Sequence, residues 1–169
     1  MSATVKLYSL NLSNVRTYLF AALFIIGNML FPQLAHLIPG GGLMLLPIYF
    51  FTLIGAYKYG IHVGILTAVL SPVVNSLLFG MPVLVVVPAI MFKSIILAVA
   101  ASLAARYFGK ISIWGILIAV LAYQVIGTGF EWILVRDFSV AIQDFRIGFP
   151  GMIIQLFGGY LVLKALQKV

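Results

Sequence analysis

The sequence predicts an all-α integral membrane protein, with six transmembrane helices packed as one bundle over residues 1–169 and both termini cytoplasmic. Three observations lead there. Apolar residues make up 64% of the chain and charged residues only 8%, with a mean hydropathy of +1.22, so too few polar groups exist to cover a soluble surface. Apolar runs of about 17 to 25 residues, the length a bilayer requires, recur along the chain. The cations also sort by connection. Lys6, Arg16, Lys58, Arg106, Lys110, Lys164 and Lys168 lie at the start, after the second run, after the fourth and at the end. The alternate connections, around Gly40–Gly42 and Gly80–Pro82, carry no cation, and only Arg136 and Arg146 in the last connection break the asymmetry. Lys and Arg in short connections stay on the cytoplasmic side, which sets an even number of spans with both ends inside.

Each run has its own boundaries. The first, from about Val15 to Leu34, closes in Pro39-Gly40-Gly41-Gly42, an outer loop of low intrinsic stiffness. The second is short, from about Leu43 to the paired Tyr57 and Tyr59. The third, Ile61 to Leu78, carries Pro72 and ends in the turn Phe79-Gly80-Met81-Pro82. The fourth runs from Val83 to Tyr107, with Pro88 near its start. The fifth, Ile111 to about Leu134, contains Gly115, Gly127 and Gly129. A loop over 135–148 holds two of the chain's three acids, and the sixth run extends from Phe149 to Leu166 with Gly158-Gly159 midway. No segment is long or polar enough for a separate soluble domain.

The same composition excludes several functions. The net charge of +7 lies in residues that flank spans, so it points to topology rather than to a nucleic-acid partner. With no cysteine there is no disulfide, thiolate metal site or thiol catalysis. His36 and His62 belong to opposite ends of the bundle, the carboxylates lack metal-ligand spacing, and Ser71 and Ser94 have no evident base. No nucleotide motif occurs. The reading is therefore of a non-enzyme without metal or cofactor, in the cytoplasmic (inner) membrane of a bacterial-type cell.

The polar residues inside the spans carry the functional expectation. Lys93 lies eleven residues beyond Pro82, roughly 16 Å down a helix and so near the midplane. A lysine there costs about 2.5 to 3.5 kcal/mol on insertion scales and must face the protein interior or a wet cavity. Asn75 lies in the outer half of the third span. Gln124, Thr128 and Glu131, spaced by four and three, share one stripe of the fifth, and Gln155 lies about one and a half turns into the sixth. Together they describe a polar cup open outward and sealed inward, with Lys93 at its floor, Asn75 and Gln155 as hydrogen-bonding groups and Glu131 at the rim. Each also admits the plainer role of a helix-to-helix hydrogen bond, or for Lys93 of an ion pair with Glu131. Small residues recur as well: Gly60, Gly64 and Ala68, then Ala100 and Ala104. That spacing suits close helix packing, either within the bundle or against another membrane protein.

The run Leu46-Pro47 through Gly55, Tyr59-Gly60, Gly64, then Ser71-Pro72-Val73-Val74-Asn75-Ser76-Leu77-Leu78-Phe79-Gly80-Met81-Pro82 and Met91-Phe92-Lys93 resembles the substrate-binding S components of energy-coupling-factor (ECF) vitamin transporters. The likeness covers Val15 to Tyr107 and is most specific from Ser71 to Pro82. It implies a high-affinity binding subunit that captures a vitamin or vitamin precursor from outside. Its implied partners are the lipid bilayer, a transmembrane coupling protein and two cytoplasmic ATPase subunits. It also implies that Gly40, Gly41 and Gly42 form a lid, and that Ala21 and Ala22, with Gly60, Gly64 and Ala104, face the coupling protein. The chain departs from the family at Lys93, where many relatives carry an acid, which turns the expectation toward a ligand bearing a carboxylate or phosphate. The alternatives are a small structural or assembly membrane protein with no ligand and a small secondary transporter.

Overall fold

A computed structural model of the chain describes residues 7–168, and every regular element among them is helical. The elements are α1 (Val15–Ala35), α2 (Gly41–Leu45), α3 (Phe50–Tyr59), α4 (Ile61–Phe79), α5 (Val87–Phe108), α6 (Ile113–Val135), α7 (Phe138–Ala141), α8 (Gln143–Arg146), α9 (Phe149–Ile153) and α10 (Gly159–Ala165). A π-helical turn, Ile154–Gly158, joins α9 to α10, and 3-10 turns at Pro47–Tyr49 and Leu84–Val86 lead into α3 and α5. Four helical segments are long and apolar enough to cross a membrane: Val15–Ala35, Ile61–Phe79, Leu84–Phe108 and Ile113–Val135. Large apolar side chains such as Leu19, Leu23, Leu77, Ile118 and Val125 stand on their outer faces, as lipid contact requires.

The second apolar run departs from the continuous span expected over 43–57. It breaks into α2, a left-handed residue, a 3-10 turn and α3. With ten residues, α3 rises only about 15 Å. Nine of the ten are buried, because α1, α4, α5 and α10 surround it. A helix enclosed on every side is a core helix, and α3 fills the centre of the bundle.

The helices alternate in direction. At one end, here the terminal end, Tyr8 N–H donates to Lys58 O and Leu10 N–H to Tyr59 O, which docks the segment before α1 on the end of α3. The Tyr57 hydroxyl there donates to Lys110 O at 2.9 Å and accepts from Ser112 N–H at 3.1 Å, clamping the α5–α6 connection. Arg16, Lys58, Arg106, Lys110 and Lys164 all belong to this end, while Lys6 lies outside the described residues. The opposite end carries α2, the Gly80 turn with its cis Met81–Pro82 peptide, and α7–α8.

Local chemistry sets the joints. Asn14 caps α1 by accepting from Arg16 N–H, and Ser112 caps α6 by accepting from Gly115 N–H. Between α3 and α4, Gly60 turns the chain at φ +97°, a region only glycine enters freely. One turn on, Gly64 lets α4 press on its neighbours. A Cβ there would stand 2.5 Å from Ala56 Cβ and 3.0 Å from Ala98 Cβ.

Candidate functional site

At the end opposite the termini, two adjoining cavities of about 300 and about 190 Å³ lie beneath α2. Gly42, Leu43, Ile48, Val86 and Ile90 wall both. The larger lobe is apolar, bounded by Pro32, Pro47, Met81, Pro82 and Val83, with Asn75 and His36 as its polar members. The smaller lobe leads to Tyr49, Lys93, Glu131, Gln143 and Asp144.

Lys93 is 2% exposed on α5. Its ammonium donates to Glu131 Oε2 on α6 and, at 2.7 Å, to Asp144 Oδ2 on α8. Gly127, one turn before Glu131, makes the space for it, since a Cβ there would collide with Lys93 Cγ. Beside the cluster the rings of Phe92 and Phe130 stack at 3.9 Å. The lysine expected at the floor of a cup is thus enclosed, and both carboxylates remain partly open, at 18% and 15%. Two carboxylates against one ammonium leave one negative charge in excess. That charge opposes the carboxylate or phosphate ligand expected from Lys93 alone.

Asn75 is fully buried and lines the larger lobe. Its amide donates to Asn28 O at 3.0 Å and Ser71 O at 2.9 Å, leaving Oδ1 with no donor among the described residues. The first bond has a covalent cause. Pro32, four residues after Asn28, has no N–H, so the Asn28 carbonyl lacks its helical partner. The Asn28 side chain in turn donates to Thr52 Oγ1 and Ser71 Oγ and accepts from Phe51 N–H, all at 3.1 Å. Asn75 is therefore held from α1 and α4 at once, with its free oxygen in a fixed place.

Gln155 sits in the π-helical turn and is fully buried. Its Oε1 accepts from Tyr123 O–H at 3.0 Å and its Nε2 donates to Leu46 O at 3.4 Å. Leu46 is a left-handed non-glycine residue at φ +47°, a strain of about 1–2 kcal/mol. Burial of its side chain and the Gln155 bond hold it there, and the bend turns α2 over the cavity. Tyr49, whose ring centroid lies 5.0 Å from that of Tyr123, connects this layer to the cavity wall. Gln124 and Thr128 do lie on the α6 stripe with Glu131, but they line neither lobe. Both are buried, and the Gln124 amide, Thr128 Oγ1 and Ser94 Oγ have no hydrogen-bond partner among the described residues.

The glycines at 40–42 are not a slack loop. Gly40 is left-handed at φ +73° and starts α2. Gly41 packs so closely on Ala35 O that a Cβ would overlap it, and a Cβ on Gly42 would stand 2.5 Å from His36 Nε2. Of the residues expected to face a coupling protein, Ala21, Gly60, Gly64 and Ala104 are buried inside the bundle, and Ala22 alone is exposed. Their spacing serves internal packing, and the docking expectation there contracts to Ala22.

The chain matches no family model, no curated protein and no solved structure.

Sequence reasoning missed Asp144, Tyr49, Tyr123 and Asn28. Asp144 was one of three acids and so a natural second partner for Lys93, but its loop has no periodicity to orient it. Asn28 had a clearer signal: an amide in an apolar run, four residues before a proline that frees its own carbonyl. Among the described residues no group of three or more His, Asp or Glu stands close enough to hold a metal ion.

Proposed function

We propose that the chain is the membrane-embedded binding subunit of an ECF-type importer, taking up a vitamin-sized molecule from outside and passing it on through a transmembrane coupling protein and two ATPases. The observation that carries this reading is the two-lobed cavity at the end away from the cationic helix ends, roofed by α2 and with Tyr49 in its wall, backed by Tyr123 and Gln155. Its size is at the lower part of the range for small-molecule sites, and a mostly apolar wall with a few fixed polar groups is the usual composition of such sites. Support also comes from the likeness over Ser71 to Pro82, the segment that supplies Asn75 and two walls of the larger lobe.

In this account six segments cross the bilayer. The central α3 reaches only part way, with α2 and the Pro47–Tyr49 turn making up its outer portion. The cationic end faces the cytoplasm. The α2 segment is the lid, and it moves as a short helix hinged at Gly40 and Leu46. Ala22 lies on the face that meets the coupling protein. Reconstitution with a coupling protein and its ATPases, followed by ATP-dependent uptake of a ligand that co-purifies with the chain, tests the proposal. Saturable binding without any ATP-dependent uptake by any such module would leave a binder and remove the importer.

A further inference from the structure

The smaller lobe carries an unbalanced charge, left on the two carboxylates that reach it. Glu131 and Asp144 each give one oxygen to Lys93, and among the described residues no other cation pairs with either carboxylate. The remaining oxygens are acceptors. Arg136 and Arg146, the nearest cations in sequence, are exposed on the loop and take no part. In the adjoining lobe Asn75 Oδ1 is a second acceptor, fully buried, with no donor, on a side chain whose other end is fastened by two hydrogen bonds. An uncompensated carboxylate in a bilayer-embedded site is unfavourable, and so is a buried acceptor without a donor. One occupant relieves both.

We infer, resting on the reading that this cavity binds a small molecule, that the occupant is an organic cation: a charged nitrogen against the free oxygens of Glu131 and Asp144, an apolar body along Ile48, Val86 and Ile90, and an N–H or O–H donor toward Asn75 Oδ1. The roles of the charges are then the reverse of a simple lysine–anion site. Lys93 orients the two carboxylates and holds α8 against α5 and α6, and the carboxylates contact the ligand. Lys93 is a positioning residue.

The probe is tyramine, which combines an ammonium, an aromatic body and a phenolic donor. Its neutral isostere is tyrosol and its anionic counterpart 4-hydroxyphenylacetate. Each is titrated into the purified full chain in lipid nanodiscs, with heat of binding and unfolding temperature as readouts. Tyramine is expected to bind at least about tenfold more tightly than tyrosol, and 4-hydroxyphenylacetate not to bind. Phenethylamine, which lacks the phenol, should bind more weakly than tyramine. Glu131→Gln and Asp144→Asn should each reduce tyramine affinity about tenfold. Lys93→Met, which leaves both carboxylates unpaired, should bind tyramine more tightly than the wild type. Sodium chloride alone over the same concentrations should not protect.

Equal or tighter binding of tyrosol or 4-hydroxyphenylacetate overturns the cation while small-molecule binding stands. Protection by sodium alone overturns it in favour of an inorganic ion. Loss of tyramine binding in folded Lys93→Met, together with binding of 4-hydroxyphenylacetate by the wild type, returns the ligand contact to the ammonium. If no probe binds, the cation proposal fails, and a co-purifying adduct in native mass spectrometry decides the binding reading separately.

Discussion

Removing the ammonium of Lys93 while keeping its length is the sharpest perturbation of this structure. In Lys93→Met, Glu131 and Asp144 lose their shared counter-charge and face each other. Two charge-assisted hydrogen bonds vanish, each worth about 1.5–3 kcal/mol. Breaking a buried ion pair by deleting one partner typically destabilises by about 3–5 kcal/mol. Both carboxylates keep some exposure, 18% and 15%, so water relieves part of the penalty and the lower end of that range, about 3 kcal/mol, is expected. That is roughly a hundredfold in the folding equilibrium. Unfolding in mixed micelles by increasing SDS measures it. The triple variant Lys93→Met, Glu131→Gln, Asp144→Asn carries no charge and should recover most of the loss. The three side chains act as a unit, and a Lys93→Met chain as stable as the wild type, or a triple variant no better than the single, would refute that.

Four further outcomes follow from the same geometry. Cysteines at exposed Leu37 and Lys110 should differ in labelling by an impermeant reagent added outside whole cells, with only Leu37→Cys reacting; the reverse pattern would invert the topology. Asn28→Ala strands Thr52, Ser71 and Phe51 N–H together and should lower the SDS midpoint by about 1–3 kcal/mol equivalent, whereas a smaller effect would mean that the network carries little stability. Gly64→Leu and Ala22→Leu should separate packing from docking. The first forces α4 off Ala56 and Ala98 and should destabilise the isolated chain by about 1–3 kcal/mol or more; the second, on an exposed face, should leave stability and ligand binding unchanged and impair uptake in the reconstituted complex. Gly41→Ala should dislodge α2 from Ala35 O and speed ligand release with the long helices intact, and unchanged release rates would remove α2 as a lid.

Much of the helical framework was legible because a bilayer imposes length and polarity on each segment. The third, fourth and fifth runs end within two residues of α4, the Leu84–Phe108 segment and α6. Proline and glycine placed the turns, and Lys93 makes the ion pair with Glu131 that was the plainer alternative to a place at the cup floor. The second run resisted for a physical reason. A helix enclosed by four others has no lipid-facing stripe, so its sequence reads as a plain span and conceals both its short length and the left-handed break at Leu46. The site itself was half visible. Asn75, Lys93 and Glu131 reach the cavity. Gln155 is spent on Tyr123 and Leu46 and does not, and Gln124 and Thr128 share the stripe of Glu131 without reaching the wall, because spacing along a helix gives direction and not depth behind a neighbour. Asp144 came from a connection without periodicity, where α7 and α8 are only four residues each. The expectation that small residues face another protein fell short for a related reason: small residues let any two helices approach, and Gly64 and Ala104 approach helices of their own bundle.

Native mass spectrometry of the gently purified chain, beside a variant with the cavity filled, tests the central claim most directly. Val86 lines both lobes and is 38% exposed, so Val86→Trp can occupy the cavity without entering the core. The account predicts a discrete small-molecule adduct on the wild type that is absent from Val86→Trp at equal folded yield. A wild-type chain with no adduct, or an adduct that persists unchanged in Val86→Trp, would contradict it.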